Sequence, residues 1–289
     1  NESIYCRTLL FATDNELWIG TESGAYIYNL RTGKYTHLRS SEYDPYSLSD
    51  NAIYSFCKDR EDGIWIGSYF GGVNYYPRSY THFEKYYPKG EENSLHGKRV
   101  REFCRDNYGV LWIGTEDGGL NRFNLNTKEF SFFAPSAGFT NIHGLCLVDD
   151  KLWVGTFSKG LKIIDTRTGT VLKTYQKNSS PRSLIDNSIF AICRTATGDI
   201  YLGTMFGLVK YNKQSDDFDR IPELNGKFVY DIKEDSGGNI WLATYANGAY
   251  CYNVNDRKWK NYVHDEKDTT SLSYNKVSSI FEDSYHRIW

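Results

Sequence analysis

Leu111-Trp112-Ile113-Gly114-Thr115-Glu116-Asp117-Gly118-Gly119-Leu120-Asn121-Arg122-Phe123-Asn124 decides the fold, because its first five residues recur along the whole chain. The same anchor reads LWIGT at Leu17–Thr21, IWIGS at Ile64–Ser68 and LWVGT at Leu152–Thr156, then IYLGT at Ile200–Thr204 and IWLAT at Ile240–Thr244. Its aromatic stands at 18, 65, 112, 153, 201, 241 and 289, in steps of 47, 47, 41, 48, 40 and 48 residues. Self-similarity at such a period marks a repeat architecture.

The same parts surround each anchor. An apolar run precedes it (Ile53-Tyr54-Ser55-Phe56-Cys57, Val229-Tyr230-Asp231-Ile232), then a polar turn (Asp106-Asn107-Tyr108-Gly109). A Gly-bearing turn and an alternating strand come after it, then a second turn (Thr32-Gly33-Lys34) and a short aromatic strand (Phe130-Ser131-Phe132-Phe133). Each unit thus predicts four short antiparallel strands, A to D, joined by residues suited to tight turns. A unit with two apolar faces must stack on neighbours at both, as the blades of a β-propeller do. The fold class expected is all-β: a β-propeller of four-stranded antiparallel blades, seven-bladed, with the last blade truncated in this chain; a six-bladed ring with an extra hairpin is the alternative. The blades are placed at about 3–47, 48–93, 94–138, 139–182, 183–224 and 225–270, with a partial one at 271–289, in a single propeller domain that forms a fragment of something larger.

Composition agrees with strands. The 289 residues include 24 Tyr, 16 Phe and 7 Trp, rings that suit pleated, half-buried surfaces. A net charge of -2, with both signs scattered, argues against a nucleic-acid or anionic-membrane partner. No stretch approaches the roughly 18 to 20 apolar residues of a membrane span. Cys57, Cys104 and Cys193 stand eight residues before their anchor aromatic and Cys146 seven, so one structural slot is expected for all four, too widely spaced for disulfides and filled by small buried side chains. The anchor aromatics themselves are expected in the core.

These residues resemble the two-component regulator propeller repeat, whose pattern runs from an inner strand ending in E-D through G-N-L-W-I-G-T and G-G-L-N-R-Y-N. The third repeat matches through Leu111 to Asn124, and the sixth supplies Glu234-Asp235-Ser236-Gly237-Gly238-Asn239-Ile240-Trp241. The linkers Ser47-Leu48-Ser49-Asp50-Asn51, Ser183-Leu184-Ile185-Asp186-Asn187 and Ser271-Leu272-Ser273-Tyr274-Asn275 resemble it too. Tyr201 and Ala243 depart from it. The resemblance implies the periplasmic sensor region of a Bacteroidetes-type hybrid two-component system, anchored in the inner membrane. Its partners would be an oligosaccharide, neighbouring propeller and β-sandwich domains of the same protein, a second copy in a homodimer, and a cytoplasmic histidine kinase.

Chemistry-bearing motifs are absent: no G-x-S-x-G, H-E-x-x-H, Walker loop or C-x-x-C occurs. The six histidines lack ligand spacing, and His37 and His82 share one outer-strand slot. Asp59-Arg60-Glu61-Asp62-Gly63 reads as an A–B turn, since no bidentate Glu completes a calcium loop. No metal, cofactor or catalytic residue is expected. If strands run from inner to outer in sequence order, B–C turns and D–A linkers share one rim, and their variable residues carry specificity. The ligand-binding candidates are Tyr69, Phe70, Glu116, Asp117, Phe157, Lys159, Met205, Phe206, Tyr245 and Asn247, together with Glu22. Rings beside polar groups suit a sugar. The linkers add basic Lys98, Arg99, Arg101 and Arg182, which could meet an acidic glycan. A protein-interaction or dimerisation scaffold is the alternative; a glycosidase or lyase is a weaker one, because no carboxylate pair stands out from the repeat.

Overall fold

The structure, a computed structural model, describes residues 5–78, 84–133 and 138–289. The chain divides into two compact units, Asn1–Gly90 and Glu91–Trp289. In the first, β1 (Cys6–Thr13), β2 (Glu16–Thr21), β3 (Gly24–Asn29) and β4 (Tyr35–Leu38) form one antiparallel sheet in chain order, and β5 (Ile53–Lys58), β6 (Ile64–Ser68) and β7 (Val73–Tyr76) a second. The fourth strand of that blade, with His82, is expected at residues 79–83, outside the described residues.

The second unit carries four complete blades. They are β8 (Val100–Arg105) to β11 (Phe130–Phe133) with β9 (Val110–Thr115) and β10 (Gly119–Asn124) between; β12 (Ile142–Val148), β13 (Lys151–Thr156), β14 (Leu161–Asp165) and β15 (Val171–Tyr175); β16 (Ile189–Arg194), β17 (Ile200–Thr204), β18 (Gly207–Asn212) and β19 (Asp217–Arg220); and β20 (Val229–Glu234), β21 (Ile240–Thr244), β22 (Ala249–Asn253) and β23 (Lys258–Tyr262). A hairpin comes last, held by reciprocal backbone bonds between Phe281 and Trp289. Apart from a 3₁₀ turn at Pro222–Leu224, regular structure among the described residues is all strand. The fold is all-β, built from the antiparallel blades of a β-propeller.

Within the second unit the first strands β8, β12, β16 and β20 pack side by side in that order. The anchor residues explain how. Trp112 is fully buried against Phe139, Ile142 and Leu145 of the next blade, and Trp153 meets Tyr211 of its own next blade edge-on at 5.0 Å. Trp18 meets Tyr76 in the same way at 5.0 Å in the first unit. The anchor glycine admits the next blade: a Cβ on Gly114 would lie 2.6 Å from Ile142 Cγ2, and one on Gly155 would lie 2.7 Å from Ile189 Cγ2. The anchor threonines close the B–C turns, Thr115 Oγ1 donating to the Gly119 carbonyl and accepting from the Gly118 N–H.

Four of the polar A–B turns are capped by one device. Asp106 Oδ1 accepts the N–H groups of Tyr108 and Val110, and Oδ2 accepts the Trp112 indole N–H at 2.9 Å. Asp59 and Trp65, Asp235 and Trp241, and Asp283 and Trp289 repeat the indole bond at 3.0, 2.8 and 2.9 Å. Asp59 therefore spends its acceptors on the turn and the indole, which supports the turn reading over a calcium loop. Where Tyr201 replaces the tryptophan there is no indole donor, and Thr195 replaces the aspartate, its hydroxyl accepting the Asp199 N–H. Asp106→Ala would leave the Val110 and Trp112 N–H groups without acceptors in a buried site. It should lower stability by about 2 kcal/mol in urea denaturation; an unchanged midpoint would contradict the capping role.

Two expectations are corrected. Trp65 is 45% exposed and Trp289 is also exposed, while Trp241 is half-buried. Each anchor ring is covered by the next blade along the chain; Trp65 has no such blade within its unit, and Trp241 has only the terminal hairpin with Ile280 and Ile288 to cover it. The in-register cysteines do share one slot, since Cys57, Cys104, Cys146 and Cys193 pair across the ladder with Trp65, Trp112, Trp153 and Tyr201. All six thiols are free, but only Cys251 is fully buried; Cys57 is exposed, and its own unit supplies no next blade.

Candidate functional site

In each unit the B–C turns and the D–A linkers lie together, joined by backbone bonds. Tyr69 N–H donates to the Ala52 carbonyl, Phe157 N–H to Asn141, Met205 N–H to Ser188 and Tyr245 N–H to Phe228. The rim expected from strand order is therefore present in both units.

All six first strands pair irregularly at this end. The register shifts between Cys6 and Thr8, Ile53 and Ser55, Val100 and Glu102, Ile142 and Gly144, Ile189 and Ala191, and Val229 and Asp231. The residue left out of the ladder is Arg7, Tyr54, Arg101, His143, Phe190 or Tyr230. A β-bulge frees one residue from the pleat and re-aims its side chain. Beside the variable turns, Arg7 and Tyr54 mark the candidate site of the first unit, and Arg101, His143, Phe190 and Tyr230 that of the second.

In the first unit the Arg7 guanidinium lies 4.2 Å from the Tyr54 ring centroid and donates through Nε to Glu22 Oε1 at 2.7 Å. Tyr54 stacks on Tyr69 at 5.0 Å, and Tyr69 meets Phe70, which is 87% exposed. The second unit repeats the arrangement: Arg101 pairs with Glu116 at 3.4 Å, fifteen residues on as in Arg7 and Glu22, and lies 5.0 Å from the Tyr230 ring. Arg101 stands on the first blade of that unit and Tyr230 on the fourth, so the four first strands face a common space.

The rings there form a continuous bay. His143 lies 4.6 Å from Phe190 and 6.0 Å from Phe157; Phe190 meets Phe228 at 4.5 Å and stacks on Tyr230 at 5.7 Å; Phe228 stacks on Tyr245 at 5.4 Å. Lys276 Nζ caps the far end, 4.7 Å from the Tyr245 ring. His143 is only 6% exposed, and its Nδ1 has no partner. Burial, with the nearby Arg101 charge and against the pull of Glu116, lowers its pKa to about 4, so the imidazole is neutral at pH 7. One step below Arg101, burial raises the Glu102 carboxyl to about 7, opposed by Lys233 and Arg101 and reinforced by Asp231.

Of the candidate residues, Phe157, Tyr245 and Glu116 enter this bay, and Tyr69, Phe70 and Glu22 enter its counterpart in the first unit. Asp117 instead accepts the Lys98 and Arg99 N–H groups and closes a turn. Lys159 and Asn247 donate backbone N–H groups to the anchor hydroxyls of Thr156 and Thr244. Met205 and Phe206 lie on the rim outside the ring contacts described. Arg182 is taken up by Asp217 and Ser215 on the outer part of its blade. Tyr54, His143, Phe190, Phe228 and Tyr230 escaped sequence reasoning; a ring at the second position of four of the six A strands was the one available signal.

A cleft of 870 Å³ between the blades of Trp153 and Tyr211 opens beside the A–B turn at Thr197–Asp199, away from this rim. A 610 Å³ cleft sits at the same Trp–Tyr contact, Trp18 and Tyr76, in the first unit. A wedge that recurs wherever two blades diverge is a consequence of the architecture.

Such blades, with a rim of bulged residues, define a β-propeller repeat protein. The model of one repeat family, described as "two component regulator propeller", matches residues 47–70, 94–117 and 223–246. The fold is similar to the extracellular domain of BT3049 from B. thetaiotaomicron, described as a putative hybrid two component system (TM-score 0.60, 21% identity, 99% of this chain and 38% of that one). It is also similar to PorZ, a surface component of the type-IX secretion system of Porphyromonas gingivalis (TM-score 0.56, 15% identity, 96% of this chain and 44% of that one). A histidine kinase P4 of Formosa agariphila is 24% identical over 145 residues, 50% of this chain and 8% of the relative. The chain thus spans well under half the length of each of these proteins. No helix among the described residues is long and apolar enough to cross a membrane.

Proposed function

We propose that this chain is a periplasmic ligand-sensing module of a hybrid two-component receptor, recognising an oligosaccharide at the propeller rim and signalling to a cytoplasmic histidine kinase in the same protein. The observation that carries the ligand part is the set of bulged first-strand residues, which turns an aromatic bay with a loose Arg–Glu pair and an unpartnered His143 toward one rim. Sugar C–H faces stack on rings, while hydroxyls both donate and accept, matching an Arg donor beside a Glu acceptor. The family of the repeats and the likeness to a two-component extracellular domain support the receptor part. The module itself is read as non-enzymatic.

Titration calorimetry of the chain against a broad panel of oligosaccharides tests the reading. At least one should bind, and Phe228→Ala should weaken that binding about tenfold or more, the scale of a lost stacking ring. A flat response across the panel would sink the ligand assignment, and concentration-dependent dimers in light scattering without any sugar response would favour the scaffold alternative.

A further inference from the structure

Two cations bracket the aromatic bay of the second unit. Arg101 stands at the Tyr230 end and Lys276 at the Tyr245 end, each over a ring face. The Arg101–Glu116 contact of 3.4 Å is loose, so the guanidinium is not committed to that partner. Lys98 and Arg99 on the same linker are exposed, and Asp117 is occupied by their backbone N–H groups, while Glu102 and Asp231 lie one step below Arg101. The rim of the bay therefore holds an excess of donors and of positive charge. A neutral sugar hydroxyl asks for a donor and an acceptor together; a group with only acceptors asks for the donors alone.

We propose that this bay takes an anionic oligosaccharide, with sugar rings on the faces of Phe157, Phe228 and Tyr245 and a carboxylate or sulfate at each bracket, Arg101 and Lys276. This rests on the rim being a sugar site and names the class it selects. Arg101 gives the anion a planar fork, which can exchange Glu116 for a ligand carboxylate, whereas Lys276 acts as a point charge. Glu116, once released, accepts from a neighbouring hydroxyl of the same sugar.

The test is calorimetry on the full chain with tetrasaccharides of two uronates and of chondroitin sulfate, against neutral cellotetraose and galactotetraose. An anionic tetrasaccharide should bind at least tenfold more tightly than either neutral one and weaken several-fold between about 50 and 300 mM salt. Lys276→Gln and Arg101→Gln should each weaken it about tenfold, while Lys213→Gln, on a distant turn, should not; Lys276 is exposed, so its variant tests the claim free of folding effects. Equal or tighter binding of a neutral tetrasaccharide would overturn the anionic class and leave the sugar site standing. Anionic binding indifferent to both substitutions would overturn the bracket. Silence from every tetrasaccharide would remove both this inference and the ligand reading beneath it.

Discussion

Trp112→Ala should destabilise the second unit by about 3 to 5 kcal/mol, the scale of deleting a fully buried large ring. The indole is inaccessible to solvent and packs with Leu120 and Leu152 as well as the next blade's Phe139 and Ile142. Its N–H is the bond that ties Asp106 to the second strand. Both losses fall at a contact between blades, so the remaining residues cannot close the space without shifting a whole sheet. Trp112→Phe, which keeps most of the packing and drops the N–H, should lose distinctly less. Trp65→Ala, at a half-exposed equivalent, should cost under about 2 kcal/mol. Equilibrium denaturation orders the three, and a Trp112→Ala midpoint equal to that of Trp65→Ala would refute the placement.

Glu102→Gln should stabilise the protein above neutral pH by as much as about 3 kcal/mol and leave it unchanged near pH 4. The Glu102 carboxyl is raised from an ordinary 4.5 to about 7, chiefly by burial and further by Asp231, against the opposing charges of Lys233 and Arg101. Asp231 cannot move away, because it accepts the Ser279 hydroxyl and the Ile280 N–H of the terminal segment. A raised folded pKa means that the folded state holds the proton more tightly than the unfolded one. That contribution is complete below about 4.5 and is lost as pH rises through about 7. Glutamine mimics the protonated form at every pH, so the difference between variant and wild type should open across this window and plateau above it. Urea midpoints at several pH values measure it; a difference independent of pH would show that Glu102 is solvated.

Much of the scaffold was legible because each part is a short-range signal. The anchor W-I-G-T, the aspartate six residues before an indole and the glycine that must accept a neighbour's isoleucine all repeat at fixed spacing. The side on which B–C turns and linkers meet came from strand order alone. The departure at Tyr201 was visible too, although only the indole bond elsewhere explains why Thr195 stands in place of the aspartate.

The site was less legible. Sequence reading selected turn residues such as Phe157 and Tyr245, yet Asp117 proved to close a turn and Arg182, on its linker, to be bound by Asp217 of an outer strand. It passed over Phe190 and Tyr230, which look like ordinary strand residues, because a bulge exists only in the pairing of two strands and leaves no mark on one of them. The same holds for burial: Trp112 and Trp65 share nearly the same local sequence, yet only Trp112 has a next blade within its own unit to cover it. Periodic spacing was enough to define the blades, their turns and the side of the rim, since those depend on residues close together in the chain. Which side chains the rim presents was settled only by tertiary structure, since pairing register and blade-on-blade contact are relations between distant segments.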